Sequence, residues 1–343
     1  MNVDLGFVEK CEAWSLESRF FPSKIGGKPA WLDLKNIPGK TELECNYCFD
    51  PCIFLCQVYA PYENEDKAFH RTIYIFVCKN VKCCKENQNG NFKVFRSQLE
   101  KNNLFYPSEP PEERKDWRTD LDVNSWTTTC CICGIYAPSH CAKCKIKNYC
   151  CRLHQVYDWI NGHKKTCGTD ISVNTSFLFP EYELVIEKDE DVENDDDDLE
   201  KEKAELEKFQ CMVLDGQAGT MQNDDVDPDL LKMSSIEEDE VFAEFHVKTN
   251  NYPDQVLRYQ RGGPVLYISQ ENQALEIPNC TQCNGERQFE FQIMPQLLNF
   301  LNFDDSAESL DWGILVIFTC KESCIPKKGY TVEYIWKQDI VNK

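Results

Sequence analysis

The densest group of reactive side chains lies in residues 130–167, CCICGIYAPSHCAKCKIKNYCCRLHQVYDWINGHKKTC. Its cysteines and histidines form four pairs: Cys130-x-x-Cys133, Cys141-x-x-Cys144, Cys150-x-x-x-His154 and His163-x-x-x-Cys167. At each spacing, one turn of backbone can present two ligands to one ion. Zinc takes four thiolate or imidazole ligands in structural sites. The eight residues therefore predict two zinc ions, which would be structural because no ligand position remains open for water or substrate.

Metal ligation is favoured over disulfide bonding by the rest of the chain. The sequence has 343 residues and 21 cysteines, an odd number that would leave one thiol unpaired. Its N-terminus, MNVDLGFVEKCEAW, has no apolar signal-peptide core, so we expect a compartment in which thiols stay reduced. No apolar run reaches about 18 residues, so no membrane contact is expected.

Cysteines on either side of this segment follow a repeated order, which predicts an internal duplication. In each half a Gly-Gly pair precedes a C-x-x-C pair, a glutamine, an apolar run ending in cysteine, a further cysteine and a second glutamine. The first half has Gly26-Gly27, Cys45 and Cys48, Gln57, Cys78, Cys84 and Gln98; the second has Gly262-Gly263, Cys280 and Cys283, Gln292, Cys320, Cys324 and Gln338.

Each repeated half predicts one further zinc ion, because a C-x-x-C pair and two later cysteines are the ligands of a zinc ribbon. The predicted ligands are Cys280, Cys283, Cys320 and Cys324 in the second half, and Cys45, Cys48, Cys78 and Cys84 in the first. The alternative is buried free thiols, since cysteine packs well in cores. In the first half Cys83 competes with Cys84, and Cys52 and Cys56 lie nearby.

The elements that position these residues are mainly strands. The runs FLCQVYA, RTIYIFV, GILVIFT and TVEYIW are β-branched and aromatic. Residues 153–160 predict a short helix carrying His154. We expect an α+β fold that is mostly β: duplicated zinc-ribbon-like β units packed as one body, with an inserted small zinc finger projecting from it and a disordered acidic linker.

Negative charge is concentrated in one segment. The formal net charge is −21, and residues 187–240 contain 22 acidic and 5 basic side chains. Such a run repels itself and cannot bury a core, which predicts a disordered linker. It would act as a solvated spacer or as an electrostatic attractant for a basic partner.

Residues 130–167 resemble the MYND zinc finger, including the Tyr149-Cys150 step, with His154 where that family has cysteine. The resemblance implies cross-braced sites: Cys130, Cys133, Cys150 and His154 on one zinc, and Cys141, Cys144, His163 and Cys167 on the other. It leaves Cys131, Cys151 and His140 as spectators. It also implies binding of proline-containing peptides, while the basic charge of the finger leaves a nucleic-acid contact open.

Nearly the whole chain resembles the programmed cell death protein 2 family, through GFVEKCEAW, FPSKIGGKPAWL, FLCQVYAPYE, VFRSQLEKNNLFYP, RQFEFQIMPQLLNFL, DWGILVIFTC and YIWKQD. The resemblance implies duplicated domains of the TYPP type. It further implies a cytoplasmic and nuclear factor of proliferating and stem cells that captures nascent small-subunit ribosomal protein S-two (universal name uS-five) during ribosome biogenesis.

The predicted domains are an N-terminal β unit (1–125), a MYND finger (126–170), a connecting strand (171–186), the acidic linker (187–240) and a C-terminal β unit (241–343). A monomer is expected. The alternative function is a transcriptional adaptor whose MYND finger recruits proline-motif corepressors or touches DNA. An enzyme is not expected, because cysteines and histidines are assigned as ligands and no phosphate loop or nucleophile elbow is present.

Overall fold

Most of the regular structure is β-strand in the computed structural model, which describes residues 3–169, 177–188, 240–302 and 310–340. The strands are β1 Asp4–Glu9, β2 Lys24–Ile25, β3 Ile53–Tyr59, β4 His70–Val77, β5 Phe92–Leu99, β6 Ser139–His140, β7 Asn148–Tyr149, β8 Tyr182–Lys188, β9 Leu257–Tyr259, β10 Arg287–Ile293, β11 Ile314–Cys320, β12 Thr331–Val332 and β13 Tyr334–Gln338. The mostly-β prediction is confirmed.

Within the described ranges, helices are few and short. They are α1 Arg152–Asp158, α2 Lys164–Thr166 and α3 Glu240–Asn250, with a π-helical turn, Trp159–His163, between the first two. Single 3-10 turns or short 3-10 helices lie at Ala13–Leu16, Ser18–Phe20, Thr41–Leu43, Asp66–Ala68, Val81–Cys83, Val123–Ser125 and Pro295–Phe300. The helix predicted over residues 153–160 corresponds to α1, whereas α3 was not predicted.

One sheet of eleven strands has the order β12-β5-β4-β3-β2-β8-β1-β9-β10-β11-β13, and β6 pairs with β7 separately. At its ends, β12 pairs with β5 and β13 pairs with β11. Only Glu333 separates β12 from β13 along the chain. Because consecutive residues join the two ends, the sheet is nearly closed.

Two groups of four strands mirror each other across the β8-β1 pair. We call β2 to β5 the N-terminal unit, and β9, β10, β11 and β13 the C-terminal unit. In both units the second strand carries a bulge before its glutamine, at Leu55 in β3 and at Glu290 in β10. An extra residue at a bulge bends the strand locally.

The two glutamines hold the same loop in the two units. Gln57 accepts from the backbone N–H of Ala30 at 2.9 Å and donates to its carbonyl at 3.3 Å. Gln292 accepts from the N–H of Leu266 at 2.9 Å and donates to its carbonyl at 2.9 Å. Ala30 and Leu266 each lie three residues after the second glycine of a Gly-Gly pair, so the glutamine fixes the loop that follows those glycines.

The core has an inner and an outer part because the central strands are buried on both faces. In β4, Ile73, Ile75 and Val77 face an inner core that also contains residues of β3, β10 and β11. The alternate residues, Tyr74 and Phe76, face an outer core. The inner core therefore belongs to both units, and their packing as one body follows from it.

Different segments cover the outer faces of the two units. On the N-terminal unit the outer core includes Cys130, Ile132 and Ile135 of the central segment, and the Trp31 indole N–H donates to the Gly134 carbonyl at 2.8 Å. On the C-terminal unit the cover includes Phe245 of α3. The expectation that the finger projects from the body is therefore wrong, because its first turn completes the core of the N-terminal unit.

Most of the predicted acidic linker lies outside the described residues, at 189–239, as do residues 171–176 of the predicted connecting strand. Within the rest of that predicted range the structure has β8, which begins at Tyr182 and continues to Lys188. In the described part of the chain, none of the helices combines the length and apolar character needed to cross a membrane.

Candidate metal centres

Each C-x-x-C pair lies on the same kind of turn. The N–H of the residue after the second cysteine donates to the carbonyl oxygen of the first, at 2.8–3.1 Å in all four pairs. That residue has a positive φ in every case: 62° at Phe49, 74° at Gly134, 59° at Lys145 and 58° at Asn284. Glycine and asparagine tolerate this conformation, whereas phenylalanine and lysine are strained in it.

Among the residues that the structure describes, four clusters of four side chains could hold a metal ion, and within each cluster the ligand atoms lie within 4.8 Å of one another. They are Cys130, Cys133, Cys150 and His154; Cys141, Cys144, His163 and Cys167; Cys280, Cys283, Cys320 and Cys324; and Cys45, Cys48, Cys78 and Cys83. A tetrahedral ion with Zn–S bonds of about 2.3 Å sets its sulfurs about 3.8 Å apart. The donor types and their spacing both fit zinc.

The first finger cluster combines three segments: the turn at Cys130 and Cys133, the end of β7 at Cys150, and α1 at His154. Cys133 Sγ lies 3.6 Å from Cys150 Sγ, and His154 Nδ1 lies 3.1 Å from Cys150 Sγ. All four side chains are buried. His154 presents Nδ1 to the cluster, as expected for a residue in a ligand position.

The second finger cluster uses the opposite ring nitrogen of its histidine. His163 Nε2 lies 3.5 Å from Cys144 Sγ, and Cys141 Sγ lies 4.0 Å from Cys167 Sγ. His163 ends the π-helical turn, where Gly162 has a φ of 152°. This departure from helical geometry separates His163 from α1, which carries the ligand of the first cluster.

The C-terminal cluster joins the turn at Cys280 and Cys283 to the end of β11. Cys280 Sγ lies 3.7 Å from Cys324 Sγ, and Cys283 Sγ lies 3.6 Å from Cys320 Sγ. Arg96 of the other unit donates to the Cys324 carbonyl at 3.0 Å and approaches its Sγ at 3.6 Å. The cluster therefore lies at the contact between the two units.

The N-terminal cluster differs from the prediction in one member. Cys48 Sγ lies 3.5 Å from Cys78 Sγ, and the structure groups Cys83 with them and Cys45, in place of Cys84. Cys84 Sγ instead contacts the Asp311 carbonyl at 3.2 Å and Lys337 Nζ at 3.6 Å. The 3-10 turn Val81–Cys83 accounts for the difference, because adjacent residues on such a turn point in different directions.

One thiol in each cluster has a pKa below its usual range. Burial raises the pKa of Cys144, but the N–H groups of Lys147 and Ile146 and the neighbouring thiols bring it to about 6. The N–H of Gly285 lowers the pKa of Cys283. By contrast, burial and neighbouring thiols raise the pKa of Cys83 to about 12. A bound divalent cation would allow every thiol of such a cluster to ionise.

The residues predicted to be spectators lie outside the clusters. His140 is exposed on β6, and Cys131 Sγ lies 3.7 Å from a carboxylate oxygen of Asp158. Cys151 is adjacent to the first finger cluster but is not one of its four members. Of the two histidines beyond the finger, His70 is buried and bonded to the Tyr59 hydroxyl at 2.9 Å. Burial lowers the pKa of His70 to about 4, so it is neutral near pH 7.

A buried ion pair that the sequence did not predict links the two units. Arg71 of β4 makes two bonds to the Glu290 carboxylate, at 2.8 and 3.0 Å, with both side chains fully buried. The Tyr259 hydroxyl and Arg261 Nε also donate to Glu290, at 2.7 and 2.9 Å. Burial raises the pKa of Glu290, but Arg71 outweighs it and holds the pKa at about 2. The sequence signal for this contact was weak: a carboxylate between two phenylalanines in RQFEFQI.

A second buried pair sits where the sheet closes. Glu333 accepts from Arg96 at 2.7 Å and from Arg287 at 2.9 Å, and it also accepts from the N–H of Cys320 at 3.1 Å. Arg96 also contacts Cys324. The charged residues that hold the two ends of the sheet together therefore contact two cysteines of the C-terminal cluster, Cys320 and Cys324.

An apolar surface remains open on the finger. Leu153, Val156 and Ile160 are 41, 45 and 74% exposed. Together with Arg152, Tyr157 and Asn161 they line a shallow groove on α1 and the turn that follows it. The spacing of the three apolar residues places them on one helical face.

Comparison with known proteins gives matches along the chain. The family model "Programmed cell death protein 2, N-terminal domain" matches residues 2–113, and the model for the C-terminal domain of that protein matches residues 239–339. The "Programmed cell death protein 2" of Mus musculus is 42% identical over 350 residues, covering 99% of this chain and 97% of the mouse protein.

More distant relatives also match. The human "Programmed cell death protein 2-like" is 26% identical over 327 residues, 90% of this chain and 87% of the human protein. "Probable 20S rRNA accumulation protein 4" of Schizosaccharomyces pombe is 33% identical over 114 residues, 28% of each chain. No solved structure matches.

Proposed function

The chain belongs to the programmed cell death protein 2 family, and from this premise we propose that it is a zinc-binding chaperone for nascent small-subunit ribosomal protein S-two (universal name uS-five) in ribosome biogenesis. The observation that carries the ribosomal role is the likeness to the S. pombe protein, whose name refers to the accumulation of 20S rRNA. The family resemblance supplies the client. A cytoplasmic and nuclear location and a role in proliferating and stem cells follow from the same resemblance.

Zinc in this proposal is structural, and four ions are bound per chain. Each cluster supplies four protein ligands, so the metal would crosslink strands and turns and would not meet a substrate. The protein is therefore proposed to act by binding and not by catalysis. The central segment is proposed to be a MYND finger, with two of the four ions.

The two β units are proposed to have arisen by duplication. The matching C-x-x-C turns, the bulges at Leu55 and Glu290, and the glutamines that hold equivalent loops support this proposal. Duplication gives a body with two similar halves. Residues that differ between the halves could then become specialised for binding a client.

Charge segregation fits a basic client. Ribosomal proteins bind RNA phosphate and are therefore positively charged, whereas residues 187–240 have 22 acidic and 5 basic side chains. In the proposed mechanism the β body binds one segment of the client and the acidic segment shields the remaining positive charge until RNA replaces it.

Affinity purification of the full chain, followed by mass spectrometry, tests the client. The proposal expects strong enrichment of S-two over other small-subunit proteins at moderate salt. A variant with the acidic residues of 187–202 replaced by serine and glycine should still recover S-two, but with a flatter salt dependence, because exposed charges are screened beyond about 10 Å at 0.1 M salt. Recovery of chromatin corepressors without any small-subunit protein would overturn the proposal.

A second function, peptide binding by the finger, is favoured by the groove on α1. Its apolar side chains, Leu153, Val156 and Ile160, are exposed in the free chain, as expected of a peptide-docking surface. This surface would support the adaptor function with proline-containing partners. The double variant Leu153→Ser/Ile160→Ser should abolish binding of such peptides and leave recovery of S-two unchanged.

A further inference from the structure

A gap in the sheet lies beside β8. On one side β8 pairs with β1 along residues 183–188. On the other side β2 covers only Tyr182 and Glu183, and the N–H of Leu184 bonds to the Ser23 carbonyl at 3.0 Å. Before Ser23 the chain leaves the sheet, because Phe21 adopts a φ of 50°. Residues 185–188 of β8 therefore have no partner strand on this edge within the described ranges.

The backbone of Ile186 faces this open edge. Backbone groups of an antiparallel strand point alternately to its two neighbours. Since the N–H of Leu184 points toward Ser23, the N–H and carbonyl of Ile186 point the same way, away from β1. Four open residues span about 13 Å at about 3.3 Å each, which is enough for a short extended segment to pair.

A cavity of about 730 Å³ adjoins the edge, lined by residues 183–186 on one side and 58–61 on the other. Its size lies within the range of about 300–1,000 Å³ that is usual for ligand sites. The carboxylates in its lining belong to Asp4, Glu113 and Glu183, and the described lining contains neither lysine nor arginine. The cavity therefore favours a positively charged occupant.

Aromatic side chains complete the lining. Trp14, Tyr59 and Tyr259 are among them. Aromatic faces bind lysine and arginine side chains by cation–π contacts as well as by apolar contact. An open strand edge supplies backbone pairing without regard to sequence, while the aromatic and acidic walls would select for arginine or lysine at alternate positions.

The chain's own acidic segment does not suit the cavity. It begins directly after β8 with DEDVENDDDD, whose negative charge the three carboxylates would repel. Its negative charge would instead attract a basic segment from another protein.

We propose that the gap between β8 and β3 is a peptide-docking site, which an extended, basic segment of a client protein enters by adding a strand to β8 at Ile186. This inference rests on the proposed chaperone function, and it assigns the client-binding surface to a specific strand edge.

Two sets of variants of the full chain test it, with purified S-two as the probe and binding measured at 0.1 and 0.5 M salt. Ile186→Pro removes an N–H that β1 does not use and should weaken binding about tenfold at both salt concentrations. Ile186→Val keeps the N–H and should bind like the parent. The triple variant Asp4→Asn/Glu113→Gln/Glu183→Gln should weaken binding about tenfold at 0.1 M salt and less at 0.5 M. Its matched control, Glu86→Gln/Glu100→Gln/Glu276→Gln, removes three exposed charges outside the cavity and should have little effect.

Photo-crosslinking gives an independent readout that does not depend on the folding of Ile186→Pro. A benzophenone amino acid at Trp14 should crosslink to one lysine- or arginine-rich segment of S-two. Normal binding by both the Ile186 and the carboxylate variants, or crosslinks spread over S-two, would overturn the docking site while leaving the chaperone proposal standing. Failure of the parent chain to bind S-two would instead overturn the proposed function on which the site rests.

Discussion

The N-terminal and C-terminal units share a framework but differ at its bulge. In β3 the bulged residue is Leu55, which belongs to the inner core. In β10 it is Glu290, which receives Arg71 from the N-terminal unit. The same local geometry therefore supplies packing in one unit and an ion pair between units in the other. Repeated backbone features define each unit, whereas the residues that differ define how the units meet.

The environments of their metal clusters differ in the same way. The N-terminal cluster lies in an outer core with apolar neighbours such as Trp31 and Phe76. The C-terminal cluster contacts Arg96 and Glu333, and Cys283 is exposed. We infer that the first cluster mainly supports its own unit, whereas the second also supports closure of the sheet.

The largest expected effect comes from loss of a metal ligand in the finger. His154→Ala should remove one zinc and unfold the finger, since structural zinc contributes about 10–16 kcal/mol of apparent binding free energy in small fingers. Because the finger shares the outer core of the N-terminal unit, that unit should lose stability too. Metal analysis and thermal unfolding would measure both effects. His154→Cys should retain zinc, and His140→Ala should change neither quantity; equal tolerance of all three would remove His154 from the ligand set.

The buried pair between units should give the next largest effect. Arg71→Ala leaves Glu290 buried without its main partner and should lower the free energy of unfolding by about 3–5 kcal/mol. The double variant Arg71→Met/Glu290→Leu gives the C-terminal bulge an apolar residue, as in β3, and should recover part of that loss, because the Tyr259 hydroxyl and Arg261 lose their acceptor. Denaturant unfolding is the measurement. If the double variant is no more stable than Arg71→Ala, an apolar residue cannot replace the ion pair at the C-terminal bulge.

Removing the shared glutamines tests whether the two units are built alike. Gln57→Leu leaves the N–H of Ala30 without its partner, and Gln292→Leu leaves the N–H and carbonyl of Leu266 without theirs. Each change should reduce stability by about 1–3 kcal/mol. Gln88→Leu, at an exposed position, is the control. A loss in one unit only would contradict the equivalence of the two loops.

The smallest effect should come from the strained C-x-x-C turn of the N-terminal unit. Phe49 is 66% exposed and has a φ of 62°, whereas Asn284 occupies the same position in the C-terminal unit. Phe49→Asn should therefore stabilise the chain by about 0.4–1 kcal/mol, and Asn284→Phe should destabilise it by a similar amount. Melting temperatures that move in the same direction for both swaps would refute strain as the cause.

Composition predicted the strands β3, β4 and β11 and the run that forms β12 and β13, while ligand spacing predicted fifteen of the sixteen residues that the structure groups into clusters, because both patterns are local. The choice between Cys83 and Cys84 depended on a 3-10 turn that spacing does not reveal. The Arg71–Glu290 pair joins residues 219 positions apart in sequence, and the gap beside β8 exists because β2 stops after two residues. Such features depend on tertiary contacts and strand lengths, so the sequence did not predict them.

Selective ribosome profiling tests the central claim most directly, because it records which nascent chains this protein binds as they are made. The chaperone account predicts strong enrichment on the message for S-two, beginning once its basic segment has left the ribosome and falling about tenfold in the Ile186→Pro variant. Enrichment spread over many messages, or none on that of S-two, would contradict the account.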